Sequence, residues 1–274
     1  MDVDWIDRTT YPFESHHLDL EMGSMHYLDE GTGEPVVMVH GNPTWSFIYR
    51  HLIGQLAPEY RCVAMDHIGF GLSDKPPNWS YRPRDHADNL VALIEALDLT
   101  DITLVVQDWG GPIGLSYAVD HPENVKRLVI LNTWMWPVHR DWYYLAFSKF
   151  MGGPLGRVLI RRFNFFARFL MPQLYGDRRK LTDRIHRHYL EPLSRPDERN
   201  GSWVFPREIV GSTDWLKGLW SKRDRLADLS ALIAWGMKDF AFREHELTAW
   251  RHVLPQATVV ELEDAGHYVQ EEAV

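Results

Sequence analysis

Short apolar runs alternate with segments of helical spacing along most of this 274-residue chain, and that alternation constrains the fold most. Pro35-Val36-Val37-Met38-Val39-His40, Cys62-Val63-Ala64-Met65 and Ile102-Thr103-Leu104-Val105-Val106 read as strands buried on both faces, as does 125–131. Between them lie three helical stretches. The first covers 46–60, with Ser46 expected as its N-cap. The second covers 84–97, with Ala87, Leu90, Val91, Leu93, Ile94 and Leu97 at helical spacing. The third covers 112–121. The rhythm stops at 134–212, an aromatic, arginine-rich, helix-patterned stretch broken at Gly152-Gly153-Pro154 and Arg195-Pro196. Strands resume at 231–235 and 258–262, separated by a helix near 244–253. The pattern predicts an α/β fold with a mostly parallel central sheet, helices on both faces and an inserted helical cap. Residues 1–133 and 213–274 would form the core, and 134–212 the cap. Segments 16–22 and 24–29 predict an N-terminal hairpin pivoting near Gly23. A helix begins after Gly266 just as the chain stops, so a further helix covering the last strand is expected.

The net charge of −9 argues against a nucleic-acid binder, but the charge is uneven. Residues 134–212 carry +7 and the remainder −16. Most of those arginines read as a solvated helical surface. The single cysteine, Cys62, excludes an intramolecular disulfide and is compatible with a reducing compartment. The start, Met1-Asp2-Val3-Asp4-Trp5, lacks the basic flank and apolar run of a signal peptide. No stretch approaches the roughly 20 apolar residues of a membrane span. A cytoplasmic protein with no membrane or nucleic-acid partner is expected. The 12 tryptophans supply large rings for cores and apolar pockets, and indole N–H donors.

Val105-Val106-Gln107-Asp108-Trp109-Gly110-Gly111 lies where a buried strand turns sharply into a helix. That is the context of a nucleophile elbow, usually Gly-x-Ser-x-Gly, with an aspartate in the serine's place. Gly110 and Gly111 meet its need for small residues on the helix side, and Val106 departs from it on the strand side. Alone, Asp108 reads equally well as a helix N-cap. Its partners decide the matter. Asp239 and His267 follow later strands, giving the chain order nucleophile, acid, histidine at the carboxyl ends of strands. His40-Gly41-Asn42-Pro43-Thr44-Trp45 supplies the loop after an early strand, so the backbone N–H groups of Asn42 and Trp109 would form an oxyanion hole. His40, beside a glycine, reads as structural. So do His67 and the Gly69-Phe70-Gly71 turn, which lacks the third glycine of a dinucleotide fingerprint. No His or Cys pair has metal-ligand spacing, His186-Arg187-His188 reads as exposed, and no motif calls for a cofactor.

Together, His40-Gly41-Asn42-Pro43-Thr44-Trp45, Gln107-Asp108-Trp109-Gly110-Gly111, Trp235-Gly236-Met237-Lys238-Asp239 and His267 resemble the haloalkane dehalogenase family of α/β-hydrolases. The resemblance runs from about Tyr11 to the end and includes the position of the insertion. It implies hydrolysis of a carbon–halogen bond, with the Trp109 and Asn42 side chains clamping the leaving halide. One subfamily places its acid as glutamate after the strand before the cap, where this chain has Leu131-Asn132-Thr133. Asn42, Trp109 and Asp239 in combination are similar to the third subfamily. Asn164-Phe165-Phe166 with Pro172 downstream resembles the segment that puts a phenylalanine, here Phe166, against the substrate. Arg168 stands where relatives often have glutamate. The subfamily resemblance also implies self-association, and the uneven charge suggests the basic cap meeting an acidic face of another copy. The partners expected are a small haloalkane, water and a halide ion.

Three alternatives remain at the level of sequence, one of them a light-emitting monooxygenase on the same scaffold. Epoxide hydrolases share the scaffold and the aspartate, and need an acid such as Tyr143, Tyr144, Tyr175 or Tyr189. A non-catalytic binding protein would keep the scaffold but has no use for His267.

Overall fold

The computed structural model describes residues 4–274. Eight strands form one sheet: β1 (His16–Leu20), β2 (Gly23–Glu30), β3 (Glu34–Val39), β4 (Tyr60–Met65), β5 (Ile102–Asp108), β6 (Val125–Thr133), β7 (Ser230–Gly236) and β8 (Thr258–Leu262). Their order is β1-β2-β4-β3-β5-β6-β7-β8. β1 and β2 form the expected hairpin, β2 is antiparallel to β4, and every other pairing is parallel.

The apolar runs divide by parity, as side chains on a pleated strand must. Val37, Val39, Leu104, Val106, Leu128 and Ile130 enter one core cluster. Val36, Met38, Cys62, Ala64, Val105 and Leu131 enter another. β1 instead alternates half-buried and exposed positions, as suits an antiparallel edge facing water on one side. β5 runs two residues further than its apolar pattern, because Gln107 pairs with Leu131 and Asp108 with Thr133.

Helices α1 (Arg50–Leu56), α2 (Pro83–Ala96) and α3 (Gly110–Asp120) connect the first parallel strands. Between β6 and β7 the chain contains no strand. It runs through α4 (Trp142–Met151), α5 (Pro154–Phe163), a single π-helical turn (Phe166–Leu170), α6 (Met171–Leu174), α7 (Asp183–Leu190), α8 (Asn200–Gly211) and α9 (Thr213–Ser221). Two more follow, α10 (Glu244–Val253) and α11 (Val269–Glu272).

Two local expectations fail. Ser46 is not an N-cap: it sits inside a 3₁₀ turn leading into α1, and its hydroxyl hydrogen-bonds Tyr11 Oη at 2.7 Å. His188 is buried rather than exposed, stacked 4.4 Å from the Phe47 ring, with Nε2 accepting the Asp7 backbone N–H. Helical periodicity marks which side of α7 faces inward, but not that Phe47 would meet it there.

The base of α1 is pinned by a charged pair in the interior. Arg50 is 3% exposed and its guanidinium forks onto the Glu271 carboxylate, with Nη2 to Oε2 at 2.6 Å. The Tyr189 hydroxyl donates to the same carboxylate. Removing one partner of such a pair strands the other charge away from water. Glu271→Ala is therefore expected to lower unfolding free energy by about 3–5 kcal/mol in a urea titration. A loss below about 1 kcal/mol would mean that Arg50 is solvated after all.

Candidate active site

Asp108 ends β5 with φ +51°, the left-handed region that a non-glycine residue occupies only under constraint. The surroundings explain how it fits. A Cβ on Gly41 would lie 2.1 Å from Asp108 Oδ1, one on Gly110 1.9 Å from the Val39 carbonyl oxygen, and one on Gly111 1.8 Å from Thr133 Oγ1. Val106, the residue too large for the usual motif, is accommodated one turn further along: a Cβ on Gly114 would meet its Cγ1 at 2.6 Å. Asp108 does not cap α3. That helix begins at Gly110, and Trp109 occupies the N-cap position without a side-chain bond.

The Asp108 carboxylate is held from two sides. Its Oδ1 accepts the Asn42 backbone N–H at 2.7 Å, and the Trp109 backbone N–H also stabilises the anion. His267 Nε2 lies 3.8 Å from Oδ2. Burial pushes the Asp108 carboxyl above its ordinary value, while His267 and the two backbone N–H groups pull the other way.

His267 is buried, and its Nδ1 lies 2.8 Å from Asp239 Oδ2. With Nδ1–H donating to that carboxylate, Nε2 is left as the ring's acceptor nitrogen, on the side nearer Asp108. Burial alone would lower the histidine's pKa, but Asp239 and then Asp108 outweigh it and the net shift is upward.

Two residues not singled out from the sequence complete the arrangement. Asn132 donates to Asp239 Oδ2 at 3.0 Å and to the Gly236 carbonyl at 3.1 Å, and accepts the Gly236 N–H at 2.7 Å. It therefore ties the end of β6 to the loop carrying Asp239. Gln107 Nε2 lies 2.9 Å from His267 Nε2 and donates to the His267 carbonyl at 3.2 Å. Both are amides in fully buried strand positions, where polar side chains are unusual, and that was the available cue.

Above these groups lies a cavity of about 90 Å³ lined mostly by apolar side chains. Asn42, Asp108, Trp109, Phe166 and His267 all border it. The Trp109 ring is stacked on Phe205 at 5.2 Å and meets Trp134 edge-on at 4.7 Å. The Asn42 side chain is oriented by Ser202, whose hydroxyl donates to Asn42 Oδ1 at 2.9 Å. His40 and His67 are elsewhere occupied: His40 Nδ1 donates to the Gly41 carbonyl and its Nε2 accepts the His67 N–H, so both act as struts. Among the described residues, no cluster of three or more His, Cys, Asp or Glu is arranged to hold a metal ion.

The chain matches the alpha/beta hydrolase fold model over residues 34–274. It is 39% identical to a cis-3-alkyl-4-alkyloxetan-2-one decarboxylase of Shewanella oneidensis, over 97% of this chain and 86% of that one. It is 37% identical to haloalkane dehalogenase 2 of Mycobacterium bovis, over 100% of this chain and 96% of the other. A crystal structure of a haloalkane dehalogenase from Bradyrhizobium elkani superposes with a TM-score of 0.86 at 29% identity, covering 95% and 93% of the two chains.

Because Asp239 is the main group raising the His267 pKa, Asp239→Asn should lower it. The imidazole titration followed by NMR measures this directly, and an unmoved midpoint would show that the carboxylate does not act on the ring.

Proposed function

The chain belongs to the alpha/beta hydrolase fold family, in the group that includes the haloalkane dehalogenases, and we propose that it hydrolyses haloalkanes through an ester on Asp108. The observation carrying this reading is the convergence of Asp108, His267 and the Asn42 and Trp109 donors on one apolar cavity. Residues 134–212 act as the cap that closes this cavity.

A halogen-bearing saturated carbon offers no carbonyl, so the nucleophile must displace the halide in line. A carboxylate needs no base for that step. An Asp108 oxygen bonds to carbon, the carbon–halogen bond breaks, and its electron pair leaves with the halide. In an apolar cavity that anion is costly unless hydrogen-bonded. The Trp109 indole N–H and the Asn42 side-chain amide supply the donors, and losing either would cost about 3 kcal/mol. Water then attacks the ester carbonyl and gives its proton to His267 Nε2. The oxyanion is held by the Asn42 and Trp109 backbone N–H groups, which already act on the Asp108 carboxylate. Collapse releases the alcohol, which takes the proton back from His267. Asp239 stabilises the imidazolium. Gln107, donating to Nε2 at rest, keeps that nitrogen in its proton-accepting tautomer.

The epoxide-opening alternative needs a free tyrosine hydroxyl in the cavity. Tyr143 and Tyr144 line it, but their hydroxyls donate to the Phe240 and Ala241 carbonyls, each at 2.9 Å. Tyr189 donates to Glu271, and neither it nor Tyr175 lines the cavity.

A second reading follows from the decarboxylase relatives. Displacement by Asp108 at the alkyl carbon of an oxetan-2-one would open the strained ring, with a carboxylate leaving group taking the halide's donors. Loss of carbon dioxide would then expel Asp108 and leave an alkene. That route contains no water attack and no task for His267, so one variant separates the two readings.

His267→Ala should still form the ester from 1,2-dibromoethane but fail to turn over, leaving a persistent adduct on Asp108 by mass spectrometry. Absence of both adduct and halide release would sink the dehalogenase reading. Retained turnover of an oxetan-2-one by the same variant would favour the second. For the wild type, the hydrolytic step needs neutral His267, whose pKa is raised. Its single-turnover rate should climb with pH as His267 loses its proton, with Asp239 holding that midpoint up.

A further inference from the structure

Exposed large apolar side chains are concentrated on one part of the surface. Trp142, Leu145 and Phe150 on α4, Leu155, Val158 and Phe163 on α5, and Phe169 on the following π-helical turn are all exposed, Trp142 at 77%. The two helices form a hairpin, packed so tightly that a Cβ on Gly156 would lie 2.2 Å from the Met151 carbonyl oxygen. Met151, Ile160 and Phe166 fill the inside of this hairpin, so the apolar residues on its outer side are surplus to its packing.

The charge here is one-sided. From 142 to 170 the chain has Lys149, Arg157, Arg161, Arg162 and Arg168 and no acidic residue. Each of the ion pairs formed elsewhere in the described residues leaves these five cations out. Helical spacing interleaves the two kinds of side chain: Trp142, Leu145 and Lys149 share one face of α4, and Leu155, Val158 and Arg162 one face of α5. The patch adjoins the mouth of the cavity. Tyr143, next to Trp142, lines the cavity and bonds Phe240, a half-exposed cavity residue.

We propose that this face of α4, α5 and the π-helical turn docks on an anionic lipid surface, with the cavity mouth at the bilayer boundary. Arg157 lies over the Trp203 ring and Arg161 bonds the Pro196 carbonyl, but Lys149, Arg162 and Arg168 enter no ion pair among the described residues. An apolar patch studded with such cations is the composition that binds anionic headgroups while burying its rings among the acyl chains. A second copy of the chain fits less well. Cap against cap would oppose two sets of five cations. Cap against the acidic remainder would bring, among the described residues, only Leu232, Val260 and Val274, besides the cavity-rim Phe240, to meet seven apolar side chains. The expectation of no membrane partner came from the lack of a spanning segment, and peripheral docking needs none. Apolar substrates dissolve in the same phase that the mouth would face.

The test is cosedimentation of the full chain with phosphatidylcholine vesicles, with and without about one-third phosphatidylglycerol. Binding to the anionic vesicles, with a blue shift of tryptophan fluorescence that Trp142→Ser reduces, is the expected result. Lys149→Gln/Arg162→Gln/Arg168→Gln together should weaken partition about fivefold per charge, with an unchanged thermal midpoint. If that variant does not fold, wild-type binding should still fall away in about 0.5 M salt. No binding to either vesicle, or equal binding to both, would overturn the proposal. So would self-association in light scattering that the same substitutions abolish while vesicles are ignored.

Discussion

Asp108 can stand at the end of β5 in a left-handed conformation because three glycines vacate the space around it. Gly41 makes room for its carboxylate, and Gly110 and Gly111 let α3 start against β3 and β6. Such a backbone costs roughly 1–3 kcal/mol and persists only where the surroundings over-determine it. Here the sheet register over-determines it, since β5 continues pairing with β6 right up to Asp108 and Thr133. What the strain secures is a carboxylate lifted off the sheet edge, with the backbone N–H groups of Asn42 and Trp109 directed at it.

The second determinant is electrostatic. One imidazole lies between two carboxylates, 2.8 Å from Asp239 and 3.8 Å from Asp108. The difference in distance is also a difference in role. Asp239 is bound by Asn132 and by the Ala241 N–H at 2.7 Å, so it is fixed as an acceptor for Nδ1–H. Asp108 leans instead on the backbone N–H groups of Asn42 and Trp109.

The helices between β6 and β7 bring two properties to the same place. Their inner side contributes Phe147, Phe166, Leu170 and Leu174 to a cavity low in polar groups, which strengthens any charge–dipole interaction within it. The outer side of α4, α5 and the π-helical turn carries apolar residues and cations with no acid in the segment. Both follow from one amphipathic hairpin whose two faces meet different surroundings.

Much of this was legible along the chain. Strand alternation and the order Asp108, Asp239, His267 are local or ordinal features, so the sheet class and the candidate site residues could be named before any coordinates. Within the continuous apolar runs, parity decided which core each side chain joined, but only once helices lay on both faces. Other features depend on segments far apart in sequence and had no local signature. Asn132 matters because Asp239, 107 residues later, returns beside it. Gln107 matters because His267 packs on it across 160 residues. Ser46 and His188 were misread for the same reason, since Tyr11 and Phe47 took the places that water or a helix end was expected to fill. Residue type and spacing thus determined the sheet and the chemical groups available. Only the folded chain decided distances, tautomer, solvent exclusion and which buried amide would face which partner, because those depend on contacts that chain order does not encode locally.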